Sequence, residues 1–323
     1  MKIPHIKHVR ILVFVLGLTS LQTAIAIEVG KSPYGPDDEV GLLRGITDTD
    51  RIQVLHSVKS GKVYDLSLDF FIGMPGPDSY NKAAPKYSHF YPVPMVPSDR
   101  QIGRYFEHDA PEGVGAVDDS ITMTLHHGTQ IDSFAHVHYK GQIYNGFKES
   151  EHFGLEGWER GGAEKIPPII GHGIMIDVAA FKGLERLPPE YSITIEDLQQ
   201  TLKAQNTQLQ KNTIVFIRTG LMSVWPNADE LYAPNPGLTV ASAGWLVDQG
   251  AVLIGGDNTS LERTPLQDQS VHIHLLVERG VNLIEQLNLE ALSKDKIYEF
   301  LAIALPLKFR GGAGSPIRVI AVQ

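Results

Sequence analysis

The chain has 323 residues, 42% of them hydrophobic, with 37 acidic against 28 basic side chains for a formal charge of −9, and no cysteine. That acidity removes the electrostatic footprint of a nucleic-acid or anionic-lipid binder. The missing thiols exclude disulfide staples, cysteine nucleophiles and thiolate ligands, so any metal site must draw on His, Asp, Glu or amide groups.

The N-terminus carries Lys2, Lys7 and Arg10, then the apolar run Ile11 to Leu18, then Ala24-Ile25-Ala26. A basic flank, an apolar core and a small-residue end make the layout of a secretory signal peptide. The apolar core falls short of the roughly 20 residues that a membrane span needs. Cleavage after about Ala26 leaves residues 27–323 as one exported, periplasmic domain with no membrane attachment. It also removes three basic and no acidic residues, taking the formal charge from −9 to −12.

Further elements follow in an α/β order. Lys62 to Leu68 alternates as an early strand, and the Pro- and Tyr-rich stretch from Gly73 to Arg104 reads as a long loop. A loop of that length in a compact domain is more often a lid or binding wall than a plain connection. Ser120 to Leu125 has the β-branched alternation of a strand. It feeds the densest histidine run in the chain, Leu125-His126-His127-Gly128-Thr129-Gln130-Ile131-Asp132-Ser133-Phe134-Ala135-His136-Val137-His138. Ile169 to Val178, Thr213 to Arg218 and Ala251 to Gly255 are short apolar runs typical of buried strands. Thr194-Ile195-Glu196-Asp197 opens a helix with a capping signature, running towards Gln205. A second helix spans Val240 to Gln249, and a third runs from His272 to Arg279 and stops at Gly280. Leu301 to Leu305 and Ile317 to Ala321 close the chain as strands.

Imidazole and carboxylate are the usual ligands of Zn and Mn, and His is also the usual proton shuttle near neutral pH. On an uninterrupted strand, however, His126 and Asp132 would stand roughly 20 Å apart, too far for one ion. The chain must bend between them, and Gly128-Thr129 is the permissive point. If Asp132 or Ser133 then opens a helix, His136 returns to the face of Asp132. His126, Gln130, Asp132 and His136 thus converge, while His127 and His138 point elsewhere. Taken alone, such a run could equally be surface or hydrogen-bonded core histidines.

The motif His126-His127-Gly128-Thr129-Gln130-Ile131-Asp132-Ser133-Phe134-Ala135-His136 resembles the His-x-Gly-Thr-His-x-Asp-x-Pro-x-His pattern of the cyclase family of metal-dependent hydrolases, which includes kynurenine formamidase and isatin hydrolase. Tyr34 to Gly41, Tyr64 to Ser67, Gly255 to Ser260, His272 to Glu285, Leu305 to Lys308 and Gly314 to Pro316 extend the likeness over nearly all of the mature chain. The resemblance implies a single α/β domain of the swivelling β/β/α type, with a mixed sheet and flanking helices. It implies one or two divalent ions, Mn or Zn, held by His126, Gln130, Asp132, His272 and Glu285, with His274 the alternative to His272, and His136 as catalytic acid/base. It further implies a small-molecule substrate (an aromatic amide, lactam or lactone), a homodimer or homotetramer with residues 31–60 at its interface, and no nucleic acid.

Two positions depart from the pattern, Gln130 for the second His and Phe134 for the Pro. Gln130 is shared with a longer Gly-Thr-Gln subgroup, and its amide oxygen favours a harder ion such as Mn over Zn. Lactone or ester hydrolysis on the same site, or ligand binding without catalysis, are the alternative functions. Gly220-Leu221-Met222-Ser223-Val224 does not form the nucleophile elbow of a serine hydrolase. Aromatics Phe70, Phe71, Tyr80, Tyr87, Phe90 and Tyr91 either wall an apolar pocket or pack in the core, Trp158 and Trp225 stand likewise, and Arg218 reads as a structural ion pair.

Overall fold

The computed structural model of the chain describes residues 27–71, 74–76, 96–97, 119–120, 123–265 and 269–323. Residues 1–26, where the sequence predicts a signal peptide, lie outside these, as do Tyr80, Tyr87, Phe90 and Tyr91 and most of the Pro-rich stretch. No helix among the described residues is long and apolar enough to cross a membrane.

Eight strands build the central sheet: β1 (Val63–Asp65), β2 (Gln130–Asp132), β3 (Ile169–Asp177), β4 (Thr213–Arg218), β5 (Ala251–Gly256), β6 (Asn282–Glu285), β7 (Glu299–Pro306) and β8 (Gly314–Val322). Their order is β1-β8-β7-β3-β4-β5-β6-β2, and β2 also pairs with β8, so seven strands close on themselves while β1 lies outside on β8. Strands β3 to β6 run parallel; β7, β8, β1 and β2 pair antiparallel with their neighbours. The fold is a single α/β unit with a mixed sheet and flanking helices, as the resemblance implies.

The apolar runs at β3, β4 and β5 are continuous because both faces are buried, the pattern expected of parallel strands under helices. Met175, Phe216, Leu253 and Ile284 point into one core with Ile131 and Val319. Their neighbours Ile174, Ile176, Val215, Ile217, Ile254 and Leu283 point the other way, against helices. Those helices are α2 (Ile195–Gln205), α3 (Val240–Asp248) and a fourth that begins at Ser270–His272 and widens to a π-helix over Ile273–Arg279, while α1 (Asp48–His56) lies against β3 and β7. The capping reading at Thr194 holds, since Thr194 Oγ1 accepts from the Asp197 N–H and Asp197 answers through the Thr194 N–H. Gly280 ends the last helix in the left-handed region, where glycine is strain-free.

Two expectations fail. Among the described residues of the Ser120 to Leu125 run, Ser120 ends a two-residue strand (Asp119–Ser120), and Met123 to Leu125 pair with no neighbouring strand. No helix opens at Asp132 or Ser133. The first N–H groups of a helix have no partner inside it, and here the Ser133 N–H donates to Ala313 O and the Ala135 N–H to Gly161 O. The Tyr139 N–H, which a second turn would direct back along the helix, donates instead to Gln142 O. What remains is one tight turn, closed by the His136 N–H on Ser133 O at 3.1 Å.

The segment from Gly30 to Ile46 is strapped onto its own chain. Gly30 N–H donates to Val277 O and Leu42 N–H to Gly280 O, clamping the last helix. Within the Tyr34 to Gly41 motif, Asp38 accepts from the Ser32 hydroxyl (2.6 Å), the Val40 and Gly41 N–H groups and Arg44 Nε (2.8 Å). Burial alone would raise its pKa, but these donors outweigh it and hold the carboxyl below its ordinary value. A depressed folded pKa contributes stability above the unfolded value of about 3.9, and that contribution is lost as pH falls through the folded value. Arg44 is half exposed, so the buried donors carry most of the effect. Asp38→Asn should therefore cost about 1–3 kcal/mol at pH 7. Urea denaturation of both proteins from pH 7 to 3 should show the gap narrowing on acidification; a gap that stays constant over that range would contradict this role.

Candidate metal centre

Strand alternation decides what faces the site. Ile131 and Ile284 enter the core, so Gln130, Asp132 and Glu285 project from the opposite face, towards the fourth helix. Gln130 stands across from Glu285 in the β2–β6 register, and Asp132 across from Leu283. Asn282, on the same strand as Glu285, donates its amide to Asp132 O at 2.8 Å and locks that register.

The bend required by the histidine run is present. Gly128 has φ +66°, which a side chain would strain, and a Cβ there would press on Phe70 and Met74. Thr129 then pins the turn: its hydroxyl donates to Gln286 O (2.8 Å) and accepts from the Leu68 N–H (2.9 Å). As a result His126 Nδ1 lies 3.0 Å from Asp132 Oδ1 instead of the extended-strand distance. His136 arrives by the tight turn, its Nε2 4.0 Å from Asp132 Oδ2 and its ring 4.0 Å from the His126 ring centre. From the fourth helix, His272 Nε2 comes within 3.2 Å of Glu285 Oε1 and 3.7 Å of Asp132 Oδ2.

All six sequence candidates therefore meet at one place. The ligand atoms of His126, Asp132 and His136 lie within 4.8 Å of one another, as do those of Asp132, His272 and Glu285, with Asp132 common to both groups. His274 stands apart: its Nδ1 pairs with Glu278 at 2.6 Å and its ring packs on Gly244. His127 is buried against Gly76, and His138 is exposed. Phe134, where the family pattern has Pro, fits because its ring faces Gly41 and Tyr144 and its Cβ lies by Gly161. Glu39 holds that wall through Arg160 (2.9 Å) and the Gly161 N–H (3.0 Å).

Other expectations find structural homes. Arg218 is buried between Asp177 (3.0 Å) and Glu290 (2.7 Å), an ion pair inside the fold. Asp257, from the Gly255 to Ser260 motif, accepts from the Thr219 and Gly220 N–H groups and tethers β5 to the end of β4. Trp158 is core, while Trp225 meets the exposed Phe71 edge-on at 6.1 Å. Residue spacing gave no sign of Glu262, a buried acid whose Oε1 lies 2.5 Å from His272 Nδ1.

Three buried oxygens in this cluster, Asp132 Oδ2, Glu285 Oε1 and Gln130 Oε1, have no hydrogen-bond partner among the described residues. Buried acceptors left in that state cost free energy unless something else satisfies them. Gln130 spends its amide N–H on Glu285 Oε2, which leaves the carbonyl oxygen, the atom a metal would take. Oxygen and imidazole donors of this kind suit a divalent ion such as Mn or Zn.

Charge is held unevenly across the cluster. Burial works against ionising Asp132, but His136, His126 and His272 around it pull its pKa to about 2. Burial and the neighbouring Asp132 charge push Glu285 up to about 7. For His272 burial is outweighed by the Glu262 hydrogen bond and the Glu285 and Asp132 carboxylates, which raise it to about 10. His136 goes the other way: burial, with His126 and His272 nearby, lowers it to about 4, so its ring is neutral at neutral pH.

A cyclase family model matches residues 64–263. The match includes the histidine run and Glu262 and ends before His272 and Glu285. The kynurenine formamidase of Bordetella petrii is 28% identical over 109 residues, which cover 33% of this chain and 47% of that relative, about half its length. A crystal structure described as a novel cyclase is 30% identical, with a TM-score of 0.78 over 90% of this chain and 96% of its own. Isatin hydrolase A from Ralstonia solanacearum shares the fold at 20% identity, with a TM-score of 0.54 over 81% of this chain and 92% of its own.

Proposed function

The chain belongs to the cyclase family, and from that membership we propose that it is a metal-dependent hydrolase that opens an amide or lactam C–N bond in a small aromatic substrate. The observation that carries the reading is the set of buried oxygens on Asp132, Glu285 and Gln130 that no hydrogen bond satisfies, framed by His126 and His272. Likeness to a kynurenine formamidase supports an amide-type bond.

His126, Gln130, Asp132, His272 and Glu285 would hold the ion. When bound there, a divalent ion supplies polarisation of the substrate carbonyl and acidifies water. His136, neutral at neutral pH and a quarter exposed, accepts the proton of the attacking water at Nε2 and returns it to the leaving nitrogen. Asp132, fully ionised, sits beside His136 and stabilises the imidazolium formed in between. Phe70 and Met74 stand beside Gly128, and an aromatic ring of the substrate would lie against them. We also place the mature protein, residues 27–323, in a periplasm, as a dimer or tetramer.

The test is elemental analysis of protein recovered from the periplasmic fraction, with the mass of its N-terminus, followed by a panel of aromatic amides, lactams and lactones. The expected result is about one or two Mn or Zn per chain, an N-terminus near residue 27, and turnover of an amide or lactam. Turnover confined to lactones would move the reaction to C–O bonds, and metal-free protein with full activity would overturn the reading.

A further inference from the structure

Glu262 is a carboxylate with its side chain 7% exposed, on a segment that the sequence motifs do not mark. Its Oε1 lies 2.5 Å from His272 Nδ1, and its oxygens also accept from the Val271 and His272 N–H groups, at 3.3 and 3.4 Å. Its backbone is set beside Leu238 in a parallel bridge, with Gly237 so close to the Glu262 carbonyl carbon that any side chain there would collide. One acid thus fixes both the start of the fourth helix and the ring it carries.

We propose that Glu262 is a positioning residue that sets His272 for metal binding. This rests on the reading of the cluster as a metal centre. The two ring nitrogens of a neutral imidazole are not equivalent: one carries the proton and the other the lone pair. A carboxylate at Nδ1 takes the N–H, so the lone pair lies on Nε2, which faces Glu285 Oε1 and Asp132 Oδ2. Without that acceptor the ring is free to place its proton on Nε2, and in that tautomer it offers the centre a hydrogen instead of a lone pair. Outer carboxylates that orient a metal-bound His act in this way, and their loss typically costs 10- to 100-fold in metal affinity. Glu262 touches no reacting atom, so its effect passes through His272 alone.

The experiment compares wild type, Glu262→Gln, His272→Ala and the double variant by chelator competition with Mn and Zn, beside the melting temperature of each metal-free protein. Glu262→Gln should bind the ion about 10- to 100-fold more weakly, with the metal-free melting temperature close to wild type and kcat recovered at saturating metal. In the His272→Ala background the same change should have no further effect on affinity, because the two residues act as one unit. Unchanged affinity in Glu262→Gln, or an equal loss with and without His272, would overturn the proposal and assign Glu262 to helix capping. If Glu262→Gln does not fold, nitrogen-15 spectra of His272 in metal-loaded wild type decide. A proton on Nδ1 supports the assignment, and a proton on Nε2 overturns it. Wild type that binds neither metal would instead remove the metal centre itself.

Discussion

Asp132→Ala should abolish hydrolysis and empty the centre of metal in a single step. No other side chain belongs to both candidate ligand groups. One oxygen is 3.0 Å from His126, and the other, without a hydrogen bond, lies between His136 and His272. Its pKa of about 2 keeps it charged at any working pH, so it is the fixed anion around which the histidines are placed. Removing an electrostatic element of this kind costs about 10²–10³ in turnover, and loss of the ion adds to that. The expected measurement is a folded protein by circular dichroism, no stoichiometric metal, and turnover at least about 10³-fold below wild type. A variant that keeps its metal and a tenth of its activity would contradict the central place given to Asp132.

His136→Ala should give a different result: metal retained, turnover down about 10²- to 10⁴-fold, the contribution of one positioned acid/base. The two histidines that flank Asp132 Oδ2, His272 and His136, differ in a way that motivates this. His272 is 4% exposed and locked by Glu262, whereas the His136 side chain is 27% exposed and neutral at neutral pH. A buried, oriented imidazole suits a ligand; a neutral one open to the substrate side suits a proton shuttle. Metal-to-protein ratio and kcat measured on the same preparation separate the roles. If the ion leaves with the His136 ring, His136 is a ligand and the shuttle lies elsewhere.

What could be read from the sequence follows the range of the interactions involved. Thr213 to Arg218, Ala251 to Gly256 and the Thr194 cap were legible because apolar runs and capping pairs are written within a few residues. The bend at Gly128 was legible too, since extended geometry forbids the alternative. The failed helix at Ser133 was not, because contacts to Ala313 and Gly161, far away in sequence, anchor the segment and the Tyr139 N–H that a second turn needs goes to Gln142 O. Glu262 was hidden for the same reason: its relation to His272 depends on a bridge to Leu238 and the absence of a side chain at Gly237.

Gln130 is the position where sequence and structure inform each other most. As a departure from the family pattern it raised the question whether it could ligate at all. In the fold it pairs across the strands with Glu285, spends its N–H there, and leaves its carbonyl oxygen unpartnered beside Asp132 and Glu285. A neutral oxygen at this point is consistent with a preference for Mn over Zn.

The account stands or falls on whether a divalent ion at Asp132 is required for turnover. The direct measurement is the rate of ring opening by chelator-stripped wild-type protein before and after stepwise addition of Mn or Zn, with the best amide or lactam substrate from the panel. The predicted result is no turnover without metal and full recovery at about one or two equivalents. Undiminished turnover by the stripped protein would contradict it.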